Sequence, residues 1–301
     1  MEQEHFYDGE KGTGYLAWRL KTISRTSGKW PIKEASVHQA QGPKSRRSAT
    51  TLPQQLDGDA CREAISFVVH SPDEASVFQK MKMTFQHRQD LVHDPQRSTD
   101  VLNTFPRFLD VNQDFLLLFG AETASKMLEK WDTSFKPKVI KEAKKLTILT
   151  KEYAARMFFL LLVGLKHNTT ESGRKRTKIS PSDAVDKMVH FHKSCCSINE
   201  YVQEREGKQP YILAVGRTQK MIDTFYIAID KQLILCQAKK HKSTKPFDEL
   251  FKSHCVFNLS YDESLVHFYT FLQTTVYNID VKTTDESPRV RELQAKLLND
   301  I

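Results

Sequence analysis

Residues 245–280 carry more aromatic and branched apolar side chains at helical spacing than a solvated surface tolerates, so other parts of the chain must cover them. Leu265, Phe268, Tyr269, Leu272 and Val276 fall on one helical face, and Phe247, Leu250 and Phe251 do the same on a shorter helix just before. Ser260 and Asp262, ahead of Leu265, predict a capped start for the longer helix. The nearest cover lies just upstream. After Pro210 the sequence turns β-prone in three runs, 211–215, 224–229 and 232–236, with breaks at Gly216 and at Asp230-Lys231. The expected fold class is therefore α+β and predominantly helical. Its small antiparallel sheet of three strands, at about 210–236, is packed by C-terminal helices and preceded by a disordered N-terminal tail.

The chain divides on the same signals. Residues 1–58 read as a disordered basic tail, with scattered apolar residues and a segment rich in Ser, Thr, Gln, Pro and Gly. Residues 59–206 read as a helical region, and 207–301 as the small sheet plus helices, which can pack with 59–206 as one unit. Within the helical region, Ser71-Pro72 opens a helix over 73–92 whose stripe runs through Val77, Met81, Phe85 and Val92, with Arg88 near the same side. A short helix over 98–109 is interrupted at Pro106, and another over 111–119 stops at Gly120. The next block, 122–145, breaks at Pro137 and turns Trp131, Phe135, Val139 and Ile140 inward. Residues 151–166 are apolar nearly all round and are expected at the centre of the helical part. Ser180-Pro181-Ser182-Asp183 opens a helix to about His192, 197–206 forms a further short helix, and Ser287-Pro288 starts a last one over 289–299.

A net charge of +8 and an isoelectric point near 9.1 permit contact with nucleic acid without requiring it. The basic residues cluster at Arg46 and Arg47, at Lys141, Lys144 and Lys145, at Arg174, Lys175, Arg176 and Lys178, and at Lys239, Lys240 and Lys242. These are the candidate anion or nucleic-acid contacts. The plainer reading is that each is a solvated face or linker, since no aromatic platform interleaves the lysines of 126–145. The five cysteines are too few and too scattered for a disulfide framework, so a reducing, intracellular setting, cytoplasmic or nuclear, is expected. The N-terminus lacks the apolar core of a secretory signal. The most apolar run, 157–165, is far short of the roughly 20 residues that span a bilayer, so no membrane partner is expected.

No motif nominates a reaction or a cofactor. The glycine-rich run at 9–14 lacks the Gly-Lys-Ser/Thr ending of a phosphate loop. His190-Phe191-His192 with Cys195-Cys196 has ligand-type side chains but no second half-site at zinc-like spacing. His254 with Cys255, or His267 near Cys255, suggests a thiol and a base, yet Cys255 reads as a buried structural residue beside Val256 and Phe257. Asp248, Glu249, Asp262 and Glu263 stand near helix starts, where acids oppose the macrodipole. No catalytic, cofactor-binding or metal-ligating residue is assigned.

Several phrases occur together in order: Met83-Thr84-Phe85 with His87-Arg88-Gln89, Phe105-Pro106-Arg107-Phe108-Leu109-Asp110, and Gln113-Asp114-Phe115 before Phe119-Gly120. Phe135-Lys136-Pro137-Lys138-Val139-Ile140 and the closing run 271–280 complete the set. From about Arg46 onward the chain resembles the C-terminal region of the sterile alpha motif domain-containing protein 3-like family. The resemblance implies association through an N-terminal helical module, but residues 1–58 do not carry the pattern of that bundle, so the motif itself is expected to be absent. It carries over no catalytic residue. Three functions follow in order of expectation: a non-enzymatic interaction or scaffold protein with an unknown protein partner; a nucleic-acid-associated protein, mobile-element derived in one version; and a degenerate or unfamiliar enzyme domain.

Overall fold

The computed structural model describes residue 42 and residues 52–94, 96–105, 108, 111–145, 186–205, 209–219, 221–236 and 244–298. The expected centre of the helical part, 151–166, lies outside them. Among the described residues, the helix at the start of the aromatic stretch, Lys245–Val256, is buried on nearly every side, and its residues from Asp248 to Val256 are all buried.

The first helices are α1, Gly58–His70, α2, Glu74–Met83, and α3, Phe85–His93. Asp73 starts α2 by accepting from the N–H groups of Ala75 and Ser76, both at 3.2 Å. The single helix expected over 73–92 is two, because Thr84 leaves helical geometry (φ −102°, ψ 11°). Its hydroxyl bonds back to the Lys80 carbonyl at 2.8 Å, a local alternative to the helix ladder. Arg88 takes the Met81 carbonyl freed at the break, at 2.8 Å. Gln55 seals the other side, donating to the Lys82 carbonyl and accepting from the Gln86 N–H. A 3₁₀ turn, Ser98–Asp100, and α4, Val101–Thr104, follow where a helix over 98–109 was expected.

Helix α5, Val111–Lys130, is bent at Gly120 (φ 80°, ψ 165°), a conformation open only to glycine. This is the stop that the sequence reading placed there. A π-helical turn, Trp131–Phe135, leads into α6, Lys136–Lys145. The Lys136 N–H bonds the Trp131 carbonyl, so the ladder widens just before Pro137, which has no N–H to offer.

The sheet has four strands in the order β1, Val189–Lys193; β2, Tyr211–Thr218; β3, Met221–Ile229; and β4, Gln232–Cys236. Three antiparallel strands were expected. The sheet is mixed, because β1 joins β2 in parallel, with His190 opposite Leu213 and His192 opposite Val215. The helix expected to reach His192 ends by Met188, and the alternating sequence after it becomes the edge strand. The chain returns from β1 through a short helix, α7, Ile198–Glu204, begun by Ser197, whose hydroxyl accepts from the Glu200 N–H. The β3–β4 turn sits on Asp230 and Lys231, both left-handed (φ 45° and 64°), the geometry of a tight hairpin.

Helix α8, Lys245–Val256, lies between the sheet and α5. It ends on left-handed Asn258, with the Leu259 N–H returning to the His254 carbonyl at 2.9 Å. The helix expected to be the longer of the two is α9, Val266–Phe271, which is shorter than α8, is continued by a π-helical turn, Leu272–Val276, and closes on left-handed Asn278. Asp262 does not cap α9 as expected. Its carboxylate accepts from the Ser264 N–H at 2.8 Å and holds the turn before the helix. Leu265, Phe268, Tyr269, Leu272 and Val276 are all buried, as their spacing required. Ser287 begins the last helix, α10, Pro288–Leu298, which buries Val290, Leu293 and Leu297. One apolar core joins α1 to α10 with the inner sheet face of Ile212, Ile227, Ile229, Ile234 and Cys236. A smaller cluster forms on the outer face, where Val202 of α7 covers Leu213 and Val215. Among the described residues no helix is long and apolar enough to cross a membrane.

Candidate interaction site

The interior holds more ionisable groups than its apolar patterning predicts. Arg88 of α3 is fully buried, and Asp114 of α5 grips it with both oxygens, at 2.7 Å and 3.1 Å. The guanidinium also donates to the Met81 carbonyl and the Thr84 hydroxyl and lies 5.3 Å and 5.1 Å from the ring centroids of Phe105 and Phe108. One turn away, Lys252 of α8 donates to Asp248 at 2.7 Å and to Asn112 of α5 at 2.9 Å. The Tyr277 hydroxyl donates to the other Asp248 oxygen at 2.5 Å. Burial pushes the Asp248 carboxyl up, and Lys252 pulls it back. Glu249 is pushed up in the same way, against Cys236 and Lys245. These groups meet inside packed core, bonded to one another, and tie α3, α5, α8 and the end of α9 together.

His254 is different. It is fully buried between the rings of Tyr261 and Tyr269, at centroid distances of 5.3 Å and 4.3 Å, and neither ring nitrogen has a hydrogen-bond partner. Burial pulls it down to about 3, so it is neutral in the fold. Cys255 is buried beside it.

The open counterpart is a shallow depression at the end of α7, lined by Val202, Arg205, Gln209, Tyr211, Ala228, Asp230 and Lys231. Arg205 lies just past the end of α7, in extended backbone (φ −77°, ψ 128°), four residues after Tyr201. Its guanidinium lies 5.6 Å from the Tyr201 ring and 5.0 Å from the Tyr211 ring, and donates to the Tyr201 hydroxyl at 2.9 Å. It also meets Nδ1 of His190 at 3.3 Å. Burial, and then Arg205 itself, draws His190 down to about 4, so the imidazole is neutral and accepts that hydrogen bond. The Tyr211 hydroxyl is buried without a hydrogen-bond partner. An arginine steadied by two phenol rings and a neutral imidazole is a rigid fork for a carboxylate or phosphate.

Sequence reasoning did not single out Arg205, Tyr201 or Tyr211. The one available signal was the Tyr201–Arg205 spacing; the rest comes from strands that only the fold brings together. Of the basic candidates, Lys141 is exposed on α6, and Lys144 and Lys145 follow it on the same helix. Arg46, Arg47, Arg174, Lys175, Arg176, Lys178, Lys239, Lys240 and Lys242 lie outside the described residues. His190 and His192 turn to different partners, Arg205 and the Cys196 carbonyl. Among the described residues no three His, Cys, Asp or Glu side chains are placed to hold a metal.

The chain is thus an α+β protein, mostly helical, in which short helices, two of them joined by a buried ion pair, pack with a mixed sheet. Residues 54–111, from just before α1 to the first residue of α5, match the family model described as sterile alpha motif domain-containing protein 3, helical domain. The match covers that segment alone, and the segment is helical here as the description says. No curated protein and no solved structure matches the chain.

Proposed function

We propose that this is an intracellular, non-enzymatic interaction or scaffold protein that meets a protein partner at the Arg205 depression. The observation that supports this reading is a contrast between the two polar sites. The buried acids, lysine and arginine are bonded to one another in packed core, where no substrate enters. The depression at Arg205 is open, cationic and aromatic-walled, and its buried phenol lacks a partner. Arginine and tyrosine are enriched among the few side chains that carry most of the binding energy at protein interfaces. The match to a helical domain is in keeping with an interaction module.

The partner surface is expected to offer a carboxylate to Arg205 with an apolar side chain beside it. Affinity purification from cells, with the full chain and with Arg205→Ala, tests this. The wild type should retain a specific protein that the variant loses by at least tenfold, while both chains melt alike. Equal recovery by both, turnover of a nucleotide, ester or peptide by the purified chain, or recovery of nucleic acid with a steep salt dependence would each overturn the reading.

A further inference from the structure

Cys195 and Cys196 occupy the turn between β1 and α7, and their sulfurs stand 3.9 Å apart. Both are exposed, whereas Cys61, Cys236 and Cys255 are buried. The turn is held from both sides: the Ser194 N–H bonds the Gly216 carbonyl, the Cys196 N–H bonds the Lys193 carbonyl, and Nε2 of His192 meets the Cys196 carbonyl at 3.2 Å. The two thiols are therefore kept adjacent, in solvent, on a structured loop, while the other three thiols are buried.

From this arrangement we infer that Cys195 and Cys196 form a reversible dithiol–disulfide site, oxidised by a peroxide. The inference does not depend on the Arg205 reading. In the first step one thiolate attacks the O–O bond of hydrogen peroxide, giving a sulfenic acid and releasing hydroxide, which takes a proton to become water. In the second the neighbouring thiol attacks that sulfur, the S–S bond forms, and the sulfenic oxygen leaves as a second water. Two thiols lose two electrons and two protons, and one peroxide becomes two waters. The Cys196 thiol is pushed up, chiefly by its hydrogen bond to Cys195, which disfavours Cys196 as the thiolate that meets the peroxide in the first step. Adjacent Cα atoms stand about 3.8 Å apart, less than the roughly 4.4–6.8 Å that disulfides ordinarily span. The bond is accordingly readily reduced, a signal rather than a staple.

Closing the ring must turn the 195–196 peptide. That peptide carries the Cys196 N–H, so the turn takes this N–H from the Lys193 carbonyl at the end of β1.

The test uses the reduced full chain treated with equimolar hydrogen peroxide. Free thiols should fall from five to three per chain, the intact mass should drop by two hydrogens, and the change should sit on the peptide spanning Cys195 and Cys196. Dithiothreitol should restore all five thiols. Phenylarsine oxide, which bridges neighbouring thiols, should bind the reduced wild type and block the peroxide reaction. Cys195→Ser and Cys196→Ser, checked for unchanged melting, should each lose arsenical binding, and Cys196→Ser should take up oxygen on Cys195. Oxygen adducts on single sulfurs in the wild type, chain-to-chain disulfides, or five unreacted thiols would overturn the inference.

Discussion

His254 shows what burial does to one side chain when nothing compensates it. Its two nitrogens lie among tyrosine rings without a hydrogen bond, and its value is pulled from 6.5 to about 3. The sign of the consequence is fixed. The unfolded chain takes up a proton as the pH falls through the ordinary histidine range, while the folded chain does not. Stability from this residue is thus complete above about pH 6.5 and is lost as the pH falls toward about 3, at roughly 1.4 kcal/mol per pH unit. Asp248 and Glu249, both pushed up, act in the opposite direction, and His190 acts in the same one. The comparison therefore has to be made between the wild type and His254→Phe. Between pH 7 and pH 5 the wild type should lose about 2 kcal/mol more than the variant in urea unfolding. Equal losses would mean that the imidazole is hydrated or paired. Nothing in the sequence around His254 distinguishes it from a catalytic base; only its enclosure by Tyr261 and Tyr269 does.

At the scale of elements, most of what the sequence offered was punctuation. Gly120, Pro137, Ser287-Pro288 and the Asp230-Lys231 turn were legible because each restricts the backbone by itself, whatever surrounds it. Residues 211–236 were legible as strands for a related reason, being rich in side chains that suit a pleated surface. The five residues of β1 were not. They follow a good helix start, and a parallel edge strand is decided by the neighbour it finds, which no local pattern records. The break at Thr84 was hidden too, because its cause is a hydroxyl and a guanidinium rather than a proline or glycine. Gly216 carries a constraint stronger than the turn it was taken to mark. A Cβ there would stand 2.1 Å from the Met221 carbonyl oxygen and 2.7 Å from the Ile222 Cα, both backbone atoms of β3. Gly216→Ala should therefore force the β2–β3 bulge apart and cost about 1–3 kcal/mol, read as a lower midpoint in thermal unfolding. An unchanged midpoint would show that the bulge relaxes freely.

Over the whole molecule, the segment that matches the helical domain of sterile alpha motif domain-containing protein 3 ends at residue 111, but its most deeply buried charge does not find its partner there. Arg88 lies within the segment and Asp114 three residues past its end, on the helix that also packs against α8. We expect the pair, through α5 and α8, to couple the opening of the helical block to that of the sheet. Asp114→Asn leaves a buried guanidinium without its counter-charge and should cost about 3–5 kcal/mol. In native-state hydrogen exchange, amides of α3 and of β3 should lose protection together. Loss confined to residues 54–111 would mean that the block opens alone.

The parallel pairing of β1 imposes an order of events on assembly. β2, β3 and β4 can zip as neighbouring hairpins as soon as their turns exist, at little cost in chain closure. β1 is synthesised before all of them, yet it has no ladder to join until β2 is already in place. β1 leaves the ribosome ahead of the strand it needs, and until β2 is made its two histidines and the cysteine pair behind them have no ladder to rest on.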